Sequence, residues 1–162
     1  MNPTETIGIQ QMILRLSAAA VVGAIVGLNR ELHGKAAGVR TLGLVTLGAA
    51  MATMITAQPQ TEGIAADPNV VGRIIQGIMT GIGFLGAGVI LRDGSGHVTG
   101  LTTAAAIWVC AALGIACGLG YWQVVGVSVG LILLVLLLGR SVELAAERIF
   151  KRDRGGPSDH GV

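Results

Sequence analysis

The sequence predicts an all-α, polytopic membrane protein: five transmembrane helices packed as a glycine-rich bundle. Three observations lead there. Of the 162 residues, 52% are hydrophobic and 12% charged, with a mean hydropathy of +0.72, whereas a soluble domain carries about 25% charged residues. The apolar residues gather in five runs almost free of charge, at 12–28, 39–57, 70–91, 101–119 and 121–138. Each is close to the roughly 20 residues with which a helix crosses about 30 Å of hydrocarbon, and their continuity argues against the alternating pattern of a β-barrel. Glycines also recur four apart, at Gly23/Gly27, Gly77/Gly81, Gly114/Gly118 and Gly126/Gly130, a spacing that lets helices approach closely in lipid.

Residues 1–11 form an extracytoplasmic N-terminus. They hold Glu5 and no Lys or Arg, the wrong flank for a secretory signal. Residues 12–140 form the five-helix domain. Asn29, Arg30 and Glu31 close the first span, and Arg40 and Thr41 open the second across a loop of about ten residues, where Glu31 and Arg40 are placed to pair across the turn. The second connection, "AQPQTEGIAAD", carries Glu62 and Asp67 and no basic residue. Only "GLGYW" separates the fourth and fifth spans, so these helices are expected to be adjacent and antiparallel. Residues 141–162 form a short basic cytoplasmic tail. Val142, Ala145, Ala146 and Ile149 there share a helical face, which suits a short helix at the membrane surface.

Arg30, Lys35 and Arg40 flank the first connection, Arg92 the third, and Arg140, Arg148, Lys151, Arg152 and Arg154 follow the last span. This asymmetry predicts an outside N-terminus and a cytoplasmic C-terminus. Arg15 and Arg73 fall at the opposite side, where each is expected to snorkel to the outer interface.

The stretch "GIGFLGAGVI" (81–90) concentrates four glycines in an apolar run. In water each interior glycine costs a helix about 1 kcal/mol against alanine. The reading preferred is contact surface: Gly81, Gly83, Gly86 and Gly88, with Gly77, are expected where another helix passes, and Phe84 and Leu85 face lipid or a looser interface. A broken helix around an ion is the other reading. Polar residues within the apolar runs are the remaining signal. Arg73, Gln76 and Thr80 share one face of the third span and are expected to point into the bundle. Thr102 and Thr103 open the fourth and are placed to cap it or to bond across to another helix.

Chemistry is sparse. No nucleophile–base pair or nucleotide fingerprint occurs, and "GLNRELHGK" lacks P-loop spacing. No enzyme and no cofactor is expected. The acids before the tail lie at span boundaries, so no mid-span proton or cation relay is legible; Glu31 and Asp93 are the carboxylates available to a magnesium ion at the cytoplasmic mouth. Cys110 and Cys117, seven residues apart, stand about 10 Å apart along a helix, too far for a disulfide, and read as small packing residues. The basic run at 151–154 follows a span directly, which favours membrane anchoring over nucleic-acid binding.

Three blocks, "GAIVGLNRELHGKAAGVRTLGLVTLGAA", "GRIIQGIMTGIGFLGAGVILRDG" and "GHVTGLTTAAAIWVCAALGIACGLGYW", resemble the bacterial MgtC/SapB family of multi-pass inner-membrane proteins. The family pattern matches at Gly27, Arg30, Glu31, Gly38, Arg40 and Thr41, then at Arg73, Gln76, Gly77 and the glycines from 81 to 88, and at Gly100, Thr102, Thr103 and Trp108. Asn29 stands where many members have an acid, and Asp67-Pro68 lies further from Arg73 than is usual. The resemblance implies a short form without the soluble C-terminal domain of the long members. The best-known member supports growth in low magnesium and is not a proven magnesium transporter. The functional expectation is therefore a regulatory or interaction protein linked to magnesium homeostasis or membrane physiology, acting as a homodimer or within a larger membrane complex. The alternative is a small dimeric transporter or channel for Mg²⁺ or another cation.

Overall fold

The computed structural model describes residues 8–56, 68–92 and 98–153. Five helices follow in order: α1 (Ile9–Leu32), α2 (Val39–Thr56), α3 (Pro68–Gly88), α4 (Leu101–Leu119) and α5 (Trp122–Asp153). All five are long and apolar enough to cross a membrane, and the fold is all-α. One element lies outside the expected set: the two-residue strands β1 (Leu91–Arg92) and β2 (Val98–Thr99) pair antiparallel between α3 and α4, Leu91 opposite Thr99 and Arg92 opposite Val98. The "RDGSGHV" stretch between them holds Asp-Gly and Ser-Gly dipeptides, a hairpin signal that an apolar-run reading passes over. The chain divides into two compact units, one through Val129 and one from Gly130 onward.

In the first unit α2 lies between α1 and α4, and glycine sets both distances. A Cβ added at Gly23 would stand 2.6 Å from the Leu42 carbonyl oxygen, and one at Gly27 would stand 2.7 Å from Val39 Cα. From the other side, Gly114 meets the Thr46 backbone, and a Cβ on Gly118 would lie 2.6 Å from the Ala50 carbonyl oxygen. Higher α1 numbers meet lower α2 numbers, so these two run antiparallel; α2 and α4 advance together and run parallel. The small residues Ala19, Ala50, Ala111, Cys110 and Cys117 fill the seam, together with Val26, Leu42 and Ile107. Both cysteines are free thiols there. Buried hydroxyls on α2 bond to their own helix: Thr46 donates to the Leu42 carbonyl at 2.7 Å and Thr53 to the Ala49 carbonyl at 2.8 Å. Each hydroxyl thus enters the interior already satisfied, as a medium without water requires.

Helix α3 leans on α2 and α4 through Ile75, Ile78, Met79 and Ile82, which pack on Ala49, Ala111 and Ile115. Gly86 shares that face, and a Cβ there would make ordinary contact with Ala104 at 3.6 Å. For the other α3 glycines no such neighbour lies among the described residues of this chain: a Cβ at Gly77, Gly81, Gly83 or Gly88 would meet nothing within 4 Å. The isoleucines fix the rotation of α3, and at 100° per residue Gly77, Gly81 and Gly88 fall on the far side, with Phe84 among them. Phe84 (84% exposed) and Leu85 do face outward. Gly126 and Gly130 on α5 are open as well.

Two turns need glycine. Gly100 has φ +89°, and a Cβ there would collide with the Val89 backbone where α3 ends against the start of α4. Gly120 has φ +78° and closes α4, its N–H donating to the Cys117 carbonyl. The break predicted between spans four and five is therefore the two-residue turn Gly120-Tyr121, and the start of α5 returns to the core through Val125 and Val129. Helix α5 runs through Asp153 and so takes in the start of the tail, where a short surface helix was expected.

Gly114→Ala is expected to destabilise the protein by about 1–3 kcal/mol through overpacking against α2. Gly126→Ala, in open space, is expected to be neutral to within about 0.5 kcal/mol. Thermal unfolding of the two variants in one mild detergent checks the difference.

Candidate functional site: buried arginines and an outward polar stripe

Helix α1 sends one arginine to each end of α4. Arg15 is 5% exposed and donates from Nη1 to the Gly118 carbonyl at 2.8 Å. Its guanidinium also lies against Gly120, where a Cβ would come within 2.8 Å of Nη2. A cation at a helix C-terminus meets carbonyls and the negative end of the helix dipole. Arg15 therefore turns inward and does not snorkel, which corrects the expectation for this residue. Its value to the fold was not legible because the Gly120 turn supplies the carbonyls and the space.

Arg30 is 3% exposed and donates from Nη2 to Thr103 Oγ1 at 2.6 Å, bridging α1 to the first turn of α4. Of the two roles open to the threonines, Thr103 takes the cross-helix bond, and the N-cap position of α4 is Gly100, which has no side chain. Thr102 is exposed. Arg30 Nε is buried without a hydrogen-bond partner among the described residues.

The α1–α2 turn holds the next group. The expected Glu31–Arg40 pair gives way to a different contact: Glu31 Oε2 accepts the Val39 N–H at 3.0 Å. A carboxylate on the first amide of α2 satisfies an orphan donor and sits favourably at the positive end of that helix. Gly38 leaves the room, since a Cβ there would lie 2.6 Å from Glu31 Oε2. His33 donates from Nδ1 to the Asn29 carbonyl, one turn back, and so ends α1. Glu31, Lys35, Gly38, Val39, Arg40 and Thr41 surround an open depression of about 400 Å³.

The third group is the Arg73–Gln76–Thr80 face. It does not point into the bundle of this chain: all three residues are exposed, on the side of α3 opposite its isoleucines, alongside the open glycines Gly77, Gly81 and Gly88. Asp67 and Asp93 lie outside the described residues. Among the described residues no three His, Cys, Asp or Glu side chains gather to hold a metal.

A bundle closed by glycine around α2, with Arg30-Glu31 meeting Gly38 and Thr103, is the arrangement the three sequence blocks build together. The model of the MgtC family matches residues 16–145, most of the chain. The chain belongs to the MgtC family. Protein SrpB of Synechococcus elongatus is 47% identical over 116 residues, covering 67% of this chain and 64% of that protein. Protein MgtC of Salmonella typhimurium is 41% identical over 137 residues, covering 85% of this chain and 54% of the relative. Protein SapB of Bacillus subtilis is 37% identical over 117 residues, covering 69% and 49%. The chain thus spans between about half and two thirds of the length of these relatives. No solved structure matches.

As an MgtC-family protein with five membrane-length helices, it is a multi-pass inner-membrane protein. The Arg30–Thr103 bridge, the Glu31 contact and the α3 stripe all fall within the matched residues, while Arg15 lies just ahead of them. Glu31→Ala is expected to loosen the start of α2 by up to about 1 kcal/mol, as loss of a helix N-terminal acceptor does, whereas Glu31→Gln keeps an acceptor and loses less. Unfolding midpoints of the two variants check the order.

Proposed function

We propose that this protein is a non-catalytic assembly module of the inner membrane, which acts through helix contacts and pairs with a second copy of itself along α3. One observation carries the reading. Arg73, Gln76 and Thr80 lie exposed on a helix otherwise apolar enough to span a bilayer, beside glycines that leave its backbone bare. A guanidinium and an amide facing lipid are costly, and an uncovered glycine strip forfeits dispersion contacts along its length. A second α3 crossing at the strip would cover both, with small residues admitting the backbone and polar groups bonding across. Magnesium homeostasis is the physiological setting that the MgtC/SapB resemblance suggests for such a module. The same polar stripe supports a second reading, in which the paired α3 helices line a path for a cation such as Mg²⁺.

Thr80→Cys is expected to give a disulfide-linked dimer in native membranes, and Leu28→Cys, on an exposed face of α1, is not. The native cysteines are fully buried and contribute little background. Equal cross-linking at both positions, or none at Thr80→Cys, would remove α3 as the seam. The conduction reading requires Mg²⁺ flux into liposomes containing the purified protein, sensitive to Arg73→Ala. Absent flux leaves the assembly reading alone.

The charge asymmetry of the connections supports an outside N-terminus and a cytoplasmic C-terminus. Impermeant thiol reagent applied to whole cells, with the inner membrane intact, is expected to label Ile64→Cys and to spare Gly156→Cys. The same accessible side for both would overturn the orientation.

A further inference from the structure

The two buried arginines of α1 are not equivalent, and the difference points to a missing charge. At the C-terminal end of α4, Arg15 meets carbonyl oxygen, as the helix dipole favours. At the N-terminal end, Arg30 meets the opposite pole. The amides of Leu101, Thr102 and Thr103 are the first of a 19-residue helix and have no acceptors within it. The N-cap is Gly100, which has no side chain to offer them. Onto this partial positive charge the fold places a full one, a guanidinium 97% buried by residue area whose contact with the helix is the Thr103 hydroxyl at 2.6 Å. Its Nε has no hydrogen-bond partner among the described residues. The neighbouring acid is engaged elsewhere, on the Val39 amide.

Among the described residues the guanidinium has no carboxylate partner, Glu31 being held on the Val39 amide, and a buried charge left so is strongly unfavourable, the more so facing a helix N-terminus. Both features ask for the same thing. A guanidinium fork, uncapped first-turn amides and threonine hydroxyls are together the donor set of an oxyanion receptor. We propose that the N-terminus of α4 and Arg30 form a binding site for a phosphate-type oxyanion, with the anion accepting from Arg30 and from the first-turn amides. The site lies at the end of a membrane-length helix, hence at the depth of the headgroups. Lys35 and Arg40, at the same end of the bundle by the α1–α2 turn, add positive potential that draws anions there. A free phosphate and the phosphate of an anionic lipid share this chemistry.

The test uses the full-length protein in an uncharged maltoside detergent, which brings no phosphate of its own. Its thermal unfolding midpoint is measured with about 10 mM inorganic phosphate against chloride at equal ionic strength, and separately with phosphatidylglycerol in the micelles. Binding to the folded state alone raises the midpoint, by several degrees when the ligand is well above its dissociation constant. A rise with inorganic phosphate assigns the site to a free oxyanion; a rise with phosphatidylglycerol alone assigns it to a lipid headgroup. Either rise is expected to vanish in Arg30→Gln. Should that variant fail to fold, Thr103→Asp replaces it. There the carboxylate takes the place of the anion, so the midpoint without ligand is expected to rise and the response to disappear. A wild-type midpoint indifferent to both probes overturns the proposal, as does a response that persists in the variant.

Discussion

Everything in the first compact unit depends on how closely α2 lies between α1 and α4. Lipid offers little hydrophobic drive for helices to associate, so the fold leans on dispersion and on short backbone separations. Glycine makes the separation possible at four places: Gly23 and Gly27 on one side of α2, Gly114 and Gly118 on the other. Thr46 is the point where both sides meet, touched by Gly23 and by Gly114. A side chain there with a freely donating group would be costly, and the threonine hydroxyl avoids that by bonding back to Leu42. Interiors this close to backbone contact tolerate few larger residues, which is why the core is built mostly from alanine, cysteine, threonine and glycine.

That register also decides where charge goes. Arg15 and Arg30 are about 22 Å apart along α1, a little less than the length of α4, and α1 runs against α4. Once the glycines set the pairing, one guanidinium must arrive near each end of the same helix. The arrival is favourable at the carbonyl end and unfavourable at the amide end. A helix-packing constraint thus creates an electrostatic demand. The neighbouring acid, Glu31, is committed to the start of α2 through the space that Gly38 leaves.

Helix α3 belongs to a different regime. Its isoleucine face attaches it to α2 and α4, but its glycines and polar residues turn the other way. A helix with an apolar face toward its own bundle and a polar, small-residue face outward is unsuited to lipid on that outer side. The opposite design holds in the first turns of α5, where Val125 and Val129 contact the core and the exposed Val124 and Val127 are apolar. The contrast is what supports α3 as the proposed pairing surface.

Much of this was determined by the sequence itself. Length and apolarity of the runs fixed five helices, because hydrocarbon thickness sets the number of residues per crossing, and α4 begins and ends where its apolar run does. The four-residue spacing of Gly23/Gly27 and Gly114/Gly118 recurs at the two close approaches to α2. Spacing alone does not say which seam is within the chain. Gly77/Gly81 has the same pattern and is open, because the rotation of α3 is set by the isoleucines at 75, 78 and 82, whose partners on α2 and α4 are distant in sequence. The polar residues show the same division. That Arg30 and Thr103 are polar residues at the ends of apolar spans was readable from the sequence. That they bond to each other, that Arg15 turns inward, and that Glu31 chooses an amide over Arg40 depended on helix ends converging from three parts of the chain. Local periodicity is a property of one helix; where its faces point is a property of its neighbours, and only the tertiary structure supplies them.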